Sequence, residues 1–184
     1  MVMLVSATTS IDAAGAVPGA TDRARPSDDA ERAFDFLIGR WHVQHRRLRS
    51  RLTHSSDWEI FAGTCEARAL LGGQANVDDN VLELPDGTYR AATLRAFDPT
   101  TRTWAIWWLD GRKPQRLDPP LIGSFERGVG TFLGRDTWKG QDVLVRFIWS
   151  RIAADSAHWE QAFSDDGGKT WETNWFMEFR RLPE

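Results

Sequence analysis

Cysteine is all but absent from this 184-residue chain; Cys65 is the single one. No intrachain disulfide can form, so nothing in the sequence calls for an oxidising compartment. No His and no helix N-terminus stands near Cys65 to depress its thiol pKa, which argues against a nucleophile. Histidine is scarce too, with four in the chain, and no HExxH pattern or Cys/His cluster exists. A metal site is therefore not expected, and no cofactor is expected either. His42 and His45 are three apart on a strand and so point to opposite faces. His54 lies in a polar turn, and His158 begins a strand. The chain lacks the glycine patterns of a dinucleotide fold or a phosphate loop. It also lacks a strong positive field: the net charge is −3, and the densest basic run is Arg46-Arg47-Leu48-Arg49-Ser50-Arg51. That run reads as a solvated strand end, which leaves no basis for nucleic acid as the main partner. No apolar stretch approaches a membrane span. Residues 1–5 are apolar, but they are too short for a signal-peptide core and no basic region precedes them. The expectation is a soluble, cytoplasmic protein with no nucleic-acid or membrane partner.

Aromatics, in contrast, are abundant: ten Trp and ten Phe. Almost all lie in short alternating runs separated by turn signals. Residues 1–26 are the exception, rich in Ala, Gly, Ser, Thr, Pro and Asp, and they read as a flexible tail. Ser27 then suits an N-cap, with Asp28, Asp29 and Glu31 in the first turn. Ala33, Phe34, Leu37 and Ile38 make an apolar stripe at helical spacing, and Gly39 is placed to end the helix. From Trp41 onward period two dominates. The pattern predicts strands near 41–49, 57–69, 75–84, 88–97, 103–110, 120–126, 129–138, 141–151, 157–164 and 171–181. Pro85-Asp86-Gly87, Asp98-Pro99-Thr100-Thr101, Arg127-Gly128, Lys139-Gly140 and Asp165-Asp166-Gly167-Gly168 join successive runs as hairpins. Antiparallel strands in such a meander remove their exposed edges by closing. The expected fold is all-β: a closed antiparallel up-and-down barrel of about ten strands with a short N-terminal helix. Residues 27–184 form its single domain.

Gly39-Arg40-Trp41 at the mouth of the first strand resembles the G-x-W signature of the lipocalin and calycin superfamily. There the Trp packs at the closed barrel end under a basic residue from the last strand, a role the resemblance gives to Arg180 or Arg181. More of the chain resembles the DUF1579-type proteins, bacterial calycin-like barrels mostly without assigned function. The matching stretches are Phe34-Asp35-Phe36-Leu37-Ile38-Gly39-Arg40-Trp41, Leu70-Leu71-Gly72-Gly73 with Asn76-Val77-Asp78, and Pro85-Asp86-Gly87-Thr88-Tyr89-Arg90. Thr93-Leu94-Arg95 with Phe97-Asp98-Pro99, and Trp159-Glu160-Gln161-Ala162-Phe163-Ser164, complete the likeness. It covers nearly everything after residue 30 and implies fold rather than activity. Ser164 to Trp171 also matches the S-x-D-x-G-x-T-W Asp-box of sialidase-type propellers. A propeller would repeat it in each blade, and here it occurs once, so it reads as a self-stabilised hairpin turn.

Hairpin registers place candidate residues on the inner face. A two-residue turn at Lys139-Gly140 pairs Trp138 with Gln141, Phe132 with Phe147 and Asp136 with Val143. Carried through the following hairpins, the parity puts Val145, Phe147, Trp149, Glu160, Ala162, Trp175, Met177 and Phe179 inside. Glu160 is then a carboxylate among aromatics, with Asp136 on the same side, and burial would raise its pKa unless a cation answers it. Arg95 is that cation by pattern, on a face with Thr93, Phe97, Trp104, Ile106, Trp108 and Asp110. The opposite face of that hairpin is also apolar. His45 shares parity with Trp41 and Val43 and so faces the interior. Arg112, Lys113 and Arg116, in the long charged loop after Leu109, are candidates to gate the mouth. Asn76 and Asp78 form a second mouth candidate.

The leading expectation is a barrel that binds a small apolar or aromatic molecule, through His45, Asn76, Asp78, Trp108, Asp110, Phe132, Trp138, Phe147, Trp149, Trp175 and Met177. An alternative is a cofactor-independent isomerase, cyclase or lyase, with Glu160 or Asp136 as general acid or base and Arg95 stabilising an oxyanion. A weaker alternative is a nitrobindin-like haem barrel, for which only His45 or His158 is available as axial ligand. A barrel packed solid with Trp is the fourth. Exposed Trp on the outer faces would favour a homodimer.

Overall fold

The period-two pattern is realised as ten antiparallel strands in a computed structural model that describes residues 28–183. They are β1 (Gly39–Leu48), β2 (Trp58–Leu70), β3 (Ala75–Leu84), β4 (Gly87–Asp98) and β5 (Thr103–Asp110). Then follow β6 (Leu121–Glu126), β7 (Val129–Trp138), β8 (Gln141–Ser150), β9 (Ser156–Ser164) and β10 (Glu172–Arg181). Each strand pairs with its chain neighbours, and β1 closes the barrel on β10. Strand limits depart from those expected by no more than about two residues, the usual uncertainty at element ends. The Arg127-Gly128 and Lys139-Gly140 turns have both residues at positive φ (50° and 79°; 50° and 85°). That is the type I′ geometry that matches the twist of hairpin strands.

The N-terminal segment is not one helix. Asp28–Glu31 forms a short α-helical turn and Asp35–Leu37 a separate 3-10 turn; the expected cap, Ser27, and the tail lie outside the described residues. The break has a packing reason. Phe34 and Leu37, three apart, fall on one side of the tighter 3-10 turn, and both are buried. Phe34 plugs this end of the barrel, with its ring 5.0 Å from Trp104, 4.9 Å from Phe125 and 5.6 Å from Phe132. Trp104 returns the contact by donating its indole N–H to the Ala30 carbonyl at 2.8 Å.

Trp41 anchors the same end. Its indole N–H donates to the Leu37 carbonyl at 2.7 Å, and Arg181, not Arg180, covers its ring at 4.1 Å. The Arg181 guanidinium also donates to the carbonyls of Ile38 (2.7 Å), Ala154 (2.7 Å) and Phe36. One side chain thus joins the last strand, the N-terminal turn and the β8–β9 loop.

The hairpin between β9 and β10 is built around Asp166. Its carboxylate accepts the backbone N–H of Lys169 (2.9 Å) and Thr170 (3.0 Å) and the hydroxyls of Ser164 (2.8 Å) and Thr170 (2.7 Å). Those bonds, led by the Thr170 N–H, hold its pKa well below the usual carboxylate range. The motif is a turn, as its single occurrence implied.

Register across β7–β8 and β4–β5 is as expected: Phe132 faces Phe147, Asp136 faces Val143, Thr93 faces Trp108 and Arg95 faces Ile106. Register on both sides of β9 is not: β8 pairs Phe147 with Gln161 and Trp149 with Trp159, one residue off the expected facing. A bulge between Thr173 and Trp175 inserts Asn174, which shifts the parity of β9 against β10. Trp159, Gln161 and Phe163 therefore share the inner face with Trp175 and Met177, while Glu160 and Ala162 face outward. Asn174 is wholly buried, and its carbonyl oxygen accepts the Gln161 amide at 2.8 Å.

Candidate functional site

The barrel is not filled solid. A cavity of about 220 Å³ runs inside it, walled by Trp108, Trp149, Trp159 and Trp175, with Phe147, Phe163 and Met177 between them. These are inner-face positions of β5, β8, β9 and β10, brought together by closure and by the bulge at Asn174. Polar groups collect in two places along it.

The deep polar group lies on β3 and β4, towards the end plugged by Phe34. Arg95 forms an ion pair with Asp78 at 2.7 Å, and both are almost fully buried (5% and 2% exposed). Arg95 also donates to the Asn76 carbonyl oxygen at 3.0 Å. Asp78 is further satisfied by the Thr93 N–H at 3.0 Å and by the Asn80 amide. The inward orientation of Arg95 is thus realised, but its partner is Asp78 and not Glu160. Asn76 and Asp78 serve Arg95 rather than the mouth. The Leu71–Gly73 turn beside them sits at the helix end of the barrel, near Arg32 and Asp35.

The second polar group rims the opposite end, where the β1–β2, β3–β4, β5–β6 and β7–β8 connections gather. Arg47 binds Glu59 through Nη2 at 2.6 Å and Nε at 2.8 Å, and its guanidinium faces the rings of Phe61 and Trp175. Arg112 binds Asp110 at 2.6 Å and lies 3.9 Å over Tyr89. That contact holds the Asp110 carboxyl below its ordinary range. Arg51 reaches the cavity from the β1–β2 loop and lies 4.7 Å from the ring of Trp138. Asp118 and Asp136 complete the rim. Burial first, then the neighbouring Asp136 charge, push the Asp118 carboxyl upward.

Several expected site residues stand elsewhere. Glu160 is on the outer face, 3.7 Å from Nε2 of His158. His158 in turn meets Glu178 at 2.8 Å, and Arg151 joins the same outer cluster. Phe132 is buried core against Phe34 and does not wall the cavity. His45 is buried, stacked on Phe61, and accepts the Trp175 indole N–H at 3.2 Å. His42 and His54 are exposed. No histidine among the described residues therefore lines the cavity, and a His-ligated haem has no axial ligand there. Of the loop cations, Arg112 lines the cavity, while Lys113 and Arg116 are exposed outside it. Cys65 is buried, and burial pushes its thiol pKa up, the reverse of a nucleophile's need.

Sequence reasoning missed Arg47, Arg51, Tyr89 and Asp118 at the rim. Arg47 and Tyr89 carried a usable signal: the parity of Trp41, Val43 and His45 extends to Arg47, and Tyr89 is the single tyrosine. Arg51 and Asp118 lie in loops, where alternation carries no facing information. Among the described residues the outer face carries three tryptophans, of which Trp107 on β5 is half-buried. Trp58 lies under Arg46 at 4.6 Å and Trp171 under Arg146 at 4.5 Å. The apolar residues most exposed there include Ile60, Ile122 and Leu133. Among the described residues no helix is long and apolar enough to cross a membrane.

No protein-family model matches the chain, and no curated protein matches it. The DUF1579 resemblance thus rests on the residues quoted for it. Among solved structures, the S-type phycobiliprotein lyase from Guillardia theta is similar in fold, with a TM-score of 0.57 at 8% identity over 87% of this chain and 99% of that one. The chain therefore has a calycin-like barrel fold, and at that identity the likeness speaks of fold alone.

Proposed function

We propose that this protein binds a small aromatic molecule inside the barrel. The observation that carries this reading is the cavity of about 220 Å³ whose walls are Trp108, Trp149, Trp159, Trp175 and Phe147. Indole walls with a few convergent polar groups are the usual chemistry of a small-molecule pocket. Stacked and edge-on ring contacts contribute roughly 0.5–1.5 kcal/mol each beyond area burial. The solved lyase of similar fold acts, by its title, on phycobiliproteins. It is compatible with a ligand-holding barrel and lends no ligand to this one.

The test is native mass spectrometry with an absorption scan on freshly purified protein, followed by titration of aromatic compounds against Trp fluorescence. A co-purified aromatic species, or saturable quenching, supports the reading. A colourless protein whose fluorescence no aromatic compound alters refutes it.

One observation favours a second, catalytic reading. Asp118 and Asp136 stand together at the mouth, and Asp118 has its pKa raised. A carboxyl whose pKa is raised beside a second carboxyl group is equipment of general acid–base chemistry. Asp136 keeps its place in that scheme, Asp118 replaces Glu160, and the Arg95–Asp78 pair is structural support. Loss of turnover in Asp136→Asn with binding retained is the outcome this reading requires.

A further inference from the structure

Three buried N–H groups on residues lining the cavity have no hydrogen-bond partner among the described residues: Arg95 Nε, Trp138 Nε1 and Trp149 Nε1. All are donors that cannot accept. Buried donors are normally satisfied, so an acceptor oxygen brought in by a ligand would meet an unfilled need of these side chains.

Trp138 stands beside Arg51, whose guanidinium lies 4.7 Å from the Trp138 ring, 5.5 Å from Phe163 and 5.9 Å from Trp175. The other cavity arginines are answered: Arg47 by Glu59, Arg95 by Asp78 and Arg112 by Asp110. Arg51 has neither an ion pair nor a hydrogen bond among the described residues. Opposite charges that act on it include Glu59, already bound by Arg47 and Arg49, and Glu172, which accepts the Leu52 N–H. Burial brings its pKa down only to about 10, which leaves it cationic at neutral pH. A half-buried cation held against rings with no carboxylate in contact is costly, and an anionic group on a ligand would offset that cost.

We propose that the ligand is a planar aromatic acid whose ring lies among the cavity indoles and whose carboxylate seats on the Arg51 guanidinium and the indole N–H of Trp138. This rests on the barrel-binding reading above. The guanidinium fork matches the two oxygens of a carboxylate. One open cation matches a single negative charge, and Asp118 and Asp136 on the same rim oppose a dianion such as a phosphate monoester.

The experiment titrates 2-naphthoate and its neutral counterpart 2-naphthalenemethanol into the full chain, read by Trp fluorescence and by calorimetry. In the unaltered protein, 2-naphthoate binds tighter by about tenfold or more, the worth of a hydrogen bond to a charged group. In Arg51→Gln that preference collapses while affinity for the alcohol stays within about twofold. Arg51→Lys restores part of the preference, and Trp138→Phe, which keeps the ring and deletes the N–H, lowers naphthoate affinity several-fold. Far-UV circular dichroism checks that each variant is folded. Equal affinity for the two probes in the unaltered protein overturns the carboxylate seat and leaves the barrel-binding reading standing. A naphthoate preference that survives Arg51→Gln also overturns it, and moves the acceptor site to Arg95 and Trp149. Binding of neither probe overturns both readings for aromatics of this size.

Discussion

The indole N–H of Trp175 points at Nδ1 of His45 across 3.2 Å. An indole nitrogen only donates, so Nδ1 must hold a lone pair and the imidazole is neutral, with its proton on Nε2. The ring lies flat on Phe61, with centroids 4.5 Å apart and planes 8° from parallel. Burial, then the charges of Arg47 and His42, push its pKa down to about 3. Geometry and electrostatics agree on an uncharged ring that braces one of the cavity-wall tryptophans.

Stability should therefore fall in mild acid through His45. Its folded pKa of about 3 lies below the ordinary 6.5, so the unfolded chain takes up the proton first. The contribution is complete above the unfolded pKa and is lost as pH falls from 6.5 towards 3. The slope approaches about 1.4 kcal/mol per pH unit. Asp166, whose pKa is lowered from 3.8, adds acid lability only below that value. Urea midpoints taken from about pH 7 to about pH 4.5 check the slope, which should flatten in His45→Gln. An identical slope in the variant would mean that the ring does not stay neutral in the folded protein.

The Arg95–Asp78 pair predicts a pronounced asymmetry between single and double replacement. Asp78→Leu leaves a buried guanidinium without its carboxylate and should cost about 3–5 kcal/mol. Arg95→Met with Asp78→Leu removes both charges and should recover most of that loss, because the pair's own desolvation cost disappears with it. Chemical denaturation of the four-member cycle gives the coupling directly. Additive losses would show that the pair is not the element holding β3 to β4 at the deep end.

Much of the barrel was legible because alternation and turn chemistry agree along the chain. Trp138 and Gln141 had to pair once Lys139-Gly140 formed a two-residue turn, and with them Asp136 and Phe147 were placed correctly. Glu160 was misplaced because the facing of β9 is set by its pairing with β8 across residues 151–155, a connection with no tight-turn signal. On its other side, Asn174 reads as one more polar strand position, yet the bulge there shifts β10 by one residue against β9. The rim was less legible for a different reason. Arg51 and Asp118 come from loops, and only the closed barrel shows which loops share an end. The pairing of Arg95 was hidden because three polar residues of β3, Asn76, Asp78 and Asn80, face inward beside it.

Arg181 should not tolerate lysine. Its guanidinium donates to the carbonyls of Phe36, Ile38 and Ala154 while lying over Trp41. An ammonium cannot span carbonyls on separate elements and cover a ring at once. Arg181→Lys should lose about 1–3 kcal/mol, seen as a lower thermal midpoint, and Arg180→Lys almost nothing. Equal effects at the two positions would show that Arg181 does not carry the closed end.

The acids at the mouth should give the aromatic-acid affinity a pH dependence that Glu160 does not share. Asp118 has its pKa raised by burial and by Asp136, and both line the cavity near the open end. Deprotonating Asp118 adds a negative charge to the same rim that carries Arg51, where the bound carboxylate sits, so 2-naphthoate should bind more tightly as pH falls through the Asp118 titration. Asp118→Asn should strengthen binding at neutral pH and flatten that dependence. The neutral 2-naphthalenemethanol should show neither effect. Glu160 faces outward beside His158, so Glu160→Gln should leave naphthoate affinity within about twofold. Calorimetry across the pH range separates these cases. A large loss of binding in Glu160→Gln with Asp118→Asn silent would place the functional carboxylate on the outer wall and away from the cavity.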